Sequence, residues 1–173
     1  GAALDALGRP GRATAIPGPV PPAPPAPAAA ALLLTLADPD TAVWLAPELA
    51  PVAPWLVFHT GAPVTSERGT AAFGAGSWEA LMPLEAWAQG SPDYPDRSAT
   101  LIVEVPGLAD GAPMTLTGPG IDGATVAAPR LPEGAAGVLA ANAARYPLGV
   151  DLYLAHDSAV MGLPRSTCIA PEG

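Results

Sequence analysis

Two carboxylates and a hydroxyl are concentrated in one short turn, Asp38-Pro39-Asp40-Thr41. Carboxylates at such a spacing can act as general bases or bind a polar ligand. The same residue types commonly bond to nearby backbone amides in turns, which would make the cluster purely structural. Asp38, Asp40 and Thr41 are therefore candidate ligand-binding residues, with local backbone bonding as the alternative.

Arginine supplies all the basic side chains of this chain, because it has no lysine. Arg130 precedes a predicted helix, and Arg165 follows the last predicted strand near Asp151. A loop at an element end can present a guanidinium group to a phosphate or carboxylate. Arg130, Asp151 and Arg165 complete the candidate ligand-binding set, and the alternative is that the arginines form salt bridges with Asp38, Asp40 or Asp151.

We expect both arginines to lie near the acidic turn, because turns at strand ends of an α/β sheet gather on one rim. The missing lysine excludes a Schiff base formed by this chain and a lysine-containing phosphate loop. No residue is assigned a catalytic role from the sequence.

The segment from Gly118 to Gly123 matches the pattern G-x-G-x-x-G of dinucleotide-binding proteins. That motif needs a helix opening at its third glycine, whose free amides bind the pyrophosphate. Residues 124–128 look extended instead and end at Pro129. A glycine-rich turn that joins two strands is therefore the better interpretation.

The sequence predicts neither a metal site nor a cofactor. His59 and His156 are far apart and lack the usual zinc-ligand spacing around them. The single Cys168 permits no internal disulfide and cannot hold an iron-sulfur cluster, so a packing role is favoured for it.

Composition predicts one folded domain over residues 1–173. The chain is 50% hydrophobic and 13% charged, and its net charge is −9 at pH 7. This charge disfavours nucleic acid and anionic membranes and suits a basic protein surface. The beginning of the chain lacks the pattern of a signal peptide, and no apolar run is long enough to span a bilayer, so we expect a cytoplasmic protein.

The acidic turn joins two predicted buried elements, a helix that ends by residue 37 or 38 and a strand at Ala42 to Leu45. A Pro/Ala-rich surface segment at residues 17–27 precedes the helix. Further helices are predicted at Pro47 to Phe58, in the second half of Trp78 to Gln89, and at Glu133 to Arg145.

Residues 99–105, ATLIVEV, form the strongest predicted strand, and Met114 to Thr117 is predicted as its hairpin partner. Residues 150–155 and 159–163 are predicted as a second hairpin. Helices alternate with strands, so the predicted fold class is α/β, a three-layer α/β/α sandwich with a mixed parallel and antiparallel sheet.

The chain resembles a known family through motifs distributed along most of its length. These are LLLTLADPDTAVWL at 32–45, FHTGAPV at 58–64, LTGPGI at 116–121, PRLPE at 129–133, YPLGVDLYL at 146–154 and LPRST at 163–167. In their order and spacing they are similar to the PhnH family, the H subunit of the bacterial carbon-phosphorus lyase system. The proline-rich segment and the C-terminal STCIAPEG depart from the family pattern.

The resemblance implies a fold similar to the large domain of pyridoxal-phosphate-dependent transferases, without that cofactor. It also implies a homodimer that joins the G, I and J subunits of the core complex. In that pathway, phosphonate displaces adenine from ATP before the carbon-phosphorus bond is cleaved.

Two hypotheses of function follow. The first is an accessory, non-catalytic subunit of the carbon-phosphorus lyase core complex, needed for phosphonate catabolism. The alternative is a small enzyme that acts alone on ATP or phosphonate, with Asp38 or Asp40 as general base and Arg130 and Arg165 as phosphate clamps.

Overall fold

A computed structural model describes residues 1–18 and 25–172 of the chain. The helices are α1 (Ala2–Gly8), α2 (Pro27–Leu36), α3 (Ala53–Thr60), α4 (Trp78–Leu81) and α5 (Ala135–Ala144). The strands are β1 (Ala13–Ala15), β2 (Val43–Leu45), β3 (Phe73–Ser77), β4 (Thr100–Glu104), β5 (Met114–Thr117), β6 (Ala124–Ala127), β7 (Asp151–His156), β8 (Ala159–Leu163) and β9 (Cys168–Pro171).

A six-stranded mixed sheet in the order β1-β8-β7-β4-β3-β2 is the centre of the fold. Strands β2, β3, β4 and β7 are parallel, while β8 runs antiparallel to β7 and to β1. The middle of β4, Leu101 to Val103, is fully buried because parallel strands are covered on both faces. The prediction of an α/β protein with a mixed sheet is confirmed.

Helices α1, α2 and α3 cover one face of this sheet through an apolar core that includes Leu32, Leu56 and Tyr153. The other face packs against α4, α5 and a second sheet through a core that includes Trp87 and Leu139. One outer layer of the predicted sandwich is therefore a mixture of helices and strands.

Helix α2 is apolar on nearly all faces, with residues 28–33 buried. It ends at Leu36, and the next residue, Ala37, is already extended. Pro39 disfavours a helical conformation of Asp38, which is the physical reason for the predicted end of the helix at this point. The prediction of a helix, acidic turn and strand is confirmed.

The proline-rich segment at 17–27 lies partly outside the described residues, because positions 19–24 are not described. Its two flanks are fixed at the same place. The amide of Ile16 donates to the carbonyl of Ser158, and the amide of Ala28 donates to that of Asp157. Both bonds go to the turn between β7 and β8.

The predicted hairpin between residues 99–105 and Met114 to Thr117 is wrong. Strand β4 pairs with β3 on one side and β7 on the other, so both of its edges are occupied. Strand β5 instead forms a separate antiparallel sheet in the order β6-β5-β9. The predicted hairpin of β7 and β8 is confirmed, with Asp157 in the left-handed region at φ 48°.

The prediction for Trp78 to Gln89 placed the helix in the wrong half. Residues 78–81 form α4, capped by the Ser77 hydroxyl, which accepts the amide of Ala80 at 3.2 Å. The second half holds only a 3₁₀ turn at Leu84–Ala86. Trp87 is buried and its indole donates to the carbonyl of Leu81 at 2.8 Å, so side-chain burial shapes this segment rather than helical spacing.

Tyr153 attaches α1 to the central sheet. Its hydroxyl donates to the carbonyl of Ala3 at 2.8 Å, and the residue is 2% exposed. Burial, assisted by the negative charge of Asp151, raises the pKa of Tyr153 to about 12. None of the helices built from the described residues has the length and apolar character that crossing a bilayer requires.

Candidate functional site

The carboxyl ends of the parallel strands border a cavity of about 420 Å³. Strand β3 ends there at Ser77 and strand β4 at Glu104. The walls are formed by Ser77, Trp78, Glu79, Glu104, Val105, Pro106, Arg130, Leu131 and Pro132. Ligands of open α/β sheets bind outside this edge, so the cavity is the candidate functional site.

Arg130 reaches the cavity from the segment before α5. Its amide donates to the carbonyl of Gly107 at 2.9 Å, which ties the segment to the end of β4. A Cβ at Gly107 would lie 3.2 Å from Cδ of Arg130, and one at Gly111 would lie 2.1 Å from the carbonyl oxygen of Pro129. Close backbone approach at these glycines therefore fixes the position of Arg130.

Two carboxylates at this edge are bonded to backbone amides. Glu104 accepts the amide of Ala26 at 2.9 Å, and Glu48 accepts that of Ser77 at 3.3 Å. In the part of the chain that the structure describes, the ion pairs are Arg145 with Glu85 and Arg165 with Asp151, and Nε2 of His156 lies 3.4 Å from a carboxylate oxygen of Asp157. Arg130 belongs to none of these pairs, so its guanidinium can bind an anionic group in the cavity.

The chemistry that this arrangement favours is binding. The walls combine apolar side chains with one guanidinium group and two carboxylates, a mixture that suits a small ligand with apolar and charged parts. Among residues 1–18 and 25–172, no group of three or more His, Cys, Asp or Glu side chains is arranged to hold a metal ion.

The acidic turn lies at the opposite edge of the sheet, directly before β2. The carboxylate of Asp38 accepts the amide of Asp40 at 2.8 Å, and the hydroxyl of Thr41 accepts the amide of Asp38 at 2.8 Å. That hydroxyl also lies 3.1 Å from the carbonyl oxygen of Asp38. These bonds are the local arrangement that the sequence offered as the alternative to a ligand site.

Asp151 and Arg165 lie together at the same amino-terminal edge. The carboxylate of Asp151 accepts the amide of Arg165 at 2.9 Å and lies 3.8 Å from its Nε. The guanidinium also donates to the hydroxyl of Ser98 and to the carbonyl of Gly149, the latter at 3.2 Å. Arg165 therefore joins the starts of β4 and β7 to the end of β8.

The prediction that both Arg130 and Arg165 lie near the acidic turn is wrong for Arg130. Arg165 follows a strand that runs antiparallel to β7, so it returns to the amino-terminal edge, whereas Arg130 sits beside the carboxyl end of β4. Two predicted residues, Asp151 and Arg165, are in contact. Asp38, Asp40 and Thr41 form a separate group, and Arg130 stands apart from both.

Sequence reasoning missed the other residues of the cavity, above all Ser77, Trp78 and Glu104. One signal was available for Glu104, because it lies near the carboxyl end of the strongest predicted strand. Ser77 and Trp78 had no such signal, since no predicted strand ended at that point of the chain.

In the part of the chain that the structure describes, the rings of both histidines contact residues outside the acidic turn. His59 packs against Trp55 and Phe58, with ring centroids 5.1 Å apart in each pair. His156 lies at the end of β7, where its Nδ1 is 3.1 Å from the carbonyl oxygen of Val105. The segment Gly118 to Gly123 joins β5 to β6 as a turn, which agrees with the rejection of a dinucleotide motif.

Fold and cavity together define a mixed α/β protein with a small ligand-sized site at the carboxyl edge of its sheet. The sequence model of the family described as bacterial phosphonate metabolism protein (PhnH) matches residues 1–170. The chain is 42% identical over 177 aligned positions to the alpha-D-ribose 1-methylphosphonate 5-triphosphate synthase subunit PhnH of Rhizobium meliloti (strain 1021). That alignment covers 98% of this chain and 87% of the relative. The chain belongs to the PhnH family.

Proposed function

We propose that this protein is an accessory subunit of a multisubunit synthase of phosphonate catabolism. The complex would couple a phosphonate to the ribose of ATP with release of adenine, before cleavage of the carbon-phosphorus bond. The observation that carries the proposal is the match to a named synthase subunit over nearly the whole chain. The aligned region includes 87% of the relative, so this chain corresponds to most of that subunit.

The bonding of the cavity's polar groups supports a role in holding a ligand. Ser77 caps α4 and Glu104 accepts the amide of Ala26, so the fold holds both side chains in place. Among the described residues that line the cavity, no histidine is present to activate the Ser77 hydroxyl as a nucleophile. Catalysis would then depend on the other subunits.

The proposal includes a homodimer that binds the G, I and J subunits of the complex. Several large apolar side chains are exposed, including Phe58 at 84% and Tyr146 at 60%. Such side chains are common in the buried centres of protein interfaces. The net charge of −9 favours partners that present basic surfaces.

Of the six candidate ligand residues, we assign the ligand contact to Arg130, because it alone lines the cavity. Asp151 and Arg165 stabilise the opposite edge of the sheet, and Asp38, Asp40 and Thr41 shape their turn. The proposal further includes a single cytoplasmic domain over residues 1–173 and a fold similar to the large domain of pyridoxal-phosphate-dependent transferases, without the cofactor.

Complementation tests this function. A bacterium that lacks its own PhnH gene should regain growth on methylphosphonate as sole phosphorus source when it expresses this chain. Growth on inorganic phosphate is the control, since it does not need the synthase. The tagged chain should also co-purify with the G, I and J subunits. A G, I and J assembly that makes the ribose phosphonate product without any H subunit would refute the proposal.

A further inference from the structure

A second cleft of about 270 Å³ lies away from the sheet-edge cavity. One wall is the segment after α1, with Arg9, Pro10 and Arg12, and the other is the turn between β5 and β6. That turn contributes Gly120, Ile121 and Asp122, and β6 adds Ala124 and Thr125. Two arginines, one aspartate and one threonine therefore line one small cleft.

Backbone packing holds the two walls in place. A Cβ at Gly120, whose φ is +83°, would lie 2.2 Å from the carbonyl oxygen of Gly8. A Cβ at Gly11, whose φ is +78°, would lie 2.4 Å from Cδ1 of Leu116. The amide of Gly11 also donates to the carbonyl of Gly162 at 3.0 Å. The cleft is thus formed before any ligand binds, which lowers the entropic cost of binding.

The remaining arginines outside the sheet-edge cavity are engaged with the protein itself. Arg68 and Arg97 lie over aromatic rings, 4.9 Å from the centroid of Trp44 and 3.9 Å from that of Tyr94. Arg145 and Arg165 pair with carboxylates. Within the described residues, Arg9 and Arg12 take part in no ion pair of this kind.

Arg9 and Arg12 lie close together on a protein that is otherwise strongly acidic. With a net charge of −9, an anion is repelled from most of the surface and needs a local concentration of positive charge. Arg9 and Arg12 provide that concentration. Asp122 reduces it without cancelling it, since the cleft is lined by two arginines and one aspartate.

We propose that this cleft is a binding site for a tetrahedral oxyanion, the phosphoryl or phosphonyl group of a small molecule. Arg9 and Arg12 donate forked hydrogen bonds to its oxygens, a geometry for which guanidinium is suited. The hydroxyl of Thr125 adds a donor. The identification of that group with a reactant of phosphonate catabolism rests on the function proposed above.

The test is a calorimetric titration of the full chain with inorganic phosphate, methylphosphonate and tripolyphosphate. The double variant Arg9→Gln/Arg12→Gln is compared with Arg97→Gln, a matched change at an arginine outside both cavities. We expect saturable binding of at least one probe, an affinity at least tenfold weaker in the double variant, and no change in the control. Binding of methylphosphonate in preference to tripolyphosphate would identify a free phosphonate, and the reverse order a nucleotide's phosphate chain.

Absence of binding by the wild-type chain for all three probes would overturn the site, as would equal affinity in the double variant and the wild type. Circular dichroism checks that the double variant folds, and the single variants replace it if it does not. Complementation separates the two proposals. Growth on methylphosphonate without anion binding refutes the cleft alone, whereas anion binding without restored growth refutes the proposed function alone.

Discussion

The amino-terminal and carboxyl edges of the central sheet, where the parallel strands begin and end, differ in the bonding partners of their charged side chains. At the amino-terminal edge, Asp151 and Arg165 bond to each other, and Asp38 bonds within its own turn. At the carboxyl edge, Arg130 lines an open cavity beside Glu104 and Trp78. At the first edge the charged groups bond to neighbouring strand ends, whereas Arg130 at the second edge takes part in none of the ion pairs found among the described residues.

Clustering of charged residues along the sequence is therefore weak evidence for a functional site. Asp38, Asp40 and Thr41 are close in sequence, so their side chains can hydrogen-bond to backbone amides within the same turn. Arg130 and Glu104 come from separate elements, and the fold brings them to one cavity. The following predictions test the contrast between a structural edge and the binding edge that we propose.

The largest effect is expected for Arg165→Ala at the structural edge. This change removes the bonds to Ser98 and to the carbonyl of Gly149, and it weakens the pairing of the half-buried Asp151. We expect a loss of about 2–3 kcal/mol in the free energy of unfolding, since partly buried groups lose charge-assisted partners. Urea denaturation measures this, and Arg97→Ala at an exposed position should change it by less than about 0.5 kcal/mol.

Arg130→Ala should have the opposite profile. Its stability should change by about 0.5 kcal/mol or less, because it forms none of the ion pairs found among the described residues. Synthase activity of the reconstituted complex should fall about tenfold or more, since a charge-assisted bond to ligand contributes about 1.5–3 kcal/mol. A variant that loses stability while its complex keeps full activity would show that Arg130 is structural.

Tyr153 lies between the two edges and gives a pH-dependent test. Its pKa in the folded state is about 12, above the ordinary value of 10.0, so folding favours the neutral phenol. The resulting stability is complete below pH 10 and is lost as the pH rises from 10 towards 12. Tyr153→Phe should remove this part of the pH dependence and cost about 1 kcal/mol at pH 7 through the lost bond to Ala3.

The prediction for Tyr153 is checked by measuring the free energy of unfolding of the wild type and of Tyr153→Phe between pH 7 and pH 11.5. Asp151→Asn should lower the pKa of Tyr153 somewhat, because the charge of Asp151 contributes to its elevation. Identical pH profiles for the wild type and Tyr153→Phe would contradict the assignment.

The smallest effect is expected for Thr41→Ala in the acidic turn. The amide of Asp38 loses its hydroxyl acceptor, but the turn is largely exposed to water, which replaces that bond. We expect a loss of about 0.5–1 kcal/mol in unfolding free energy and unchanged synthase activity. Asp40→Asn is the matched change, and it should leave both quantities nearly unaltered. A large fall in activity with either variant would restore the acidic turn as a ligand site.

Local features were predictable from the sequence because their causes lie within a few residues. The end of α2 before Pro39, the hairpin of β7 and β8, and the glycine turn between β5 and β6 all belong to this group. The helix expected in the second half of Trp78 to Gln89 was wrong because burial of Trp87 outweighed the helical spacing of its neighbours.

Composition and motifs were sufficient to establish the α/β class, the acidic charge, the absence of lysine and the family. Three-dimensional packing was needed to show that β4 pairs with β3 and β7, that Arg130 and Arg165 lie at opposite edges, and that Arg9 and the β5–β6 turn line the same cleft. The physical reason is that a strand buried on both faces has the same apolar pattern whichever neighbours it pairs with. The order and direction of strands, set by packing between distant segments, then determine which charged side chains share a cavity.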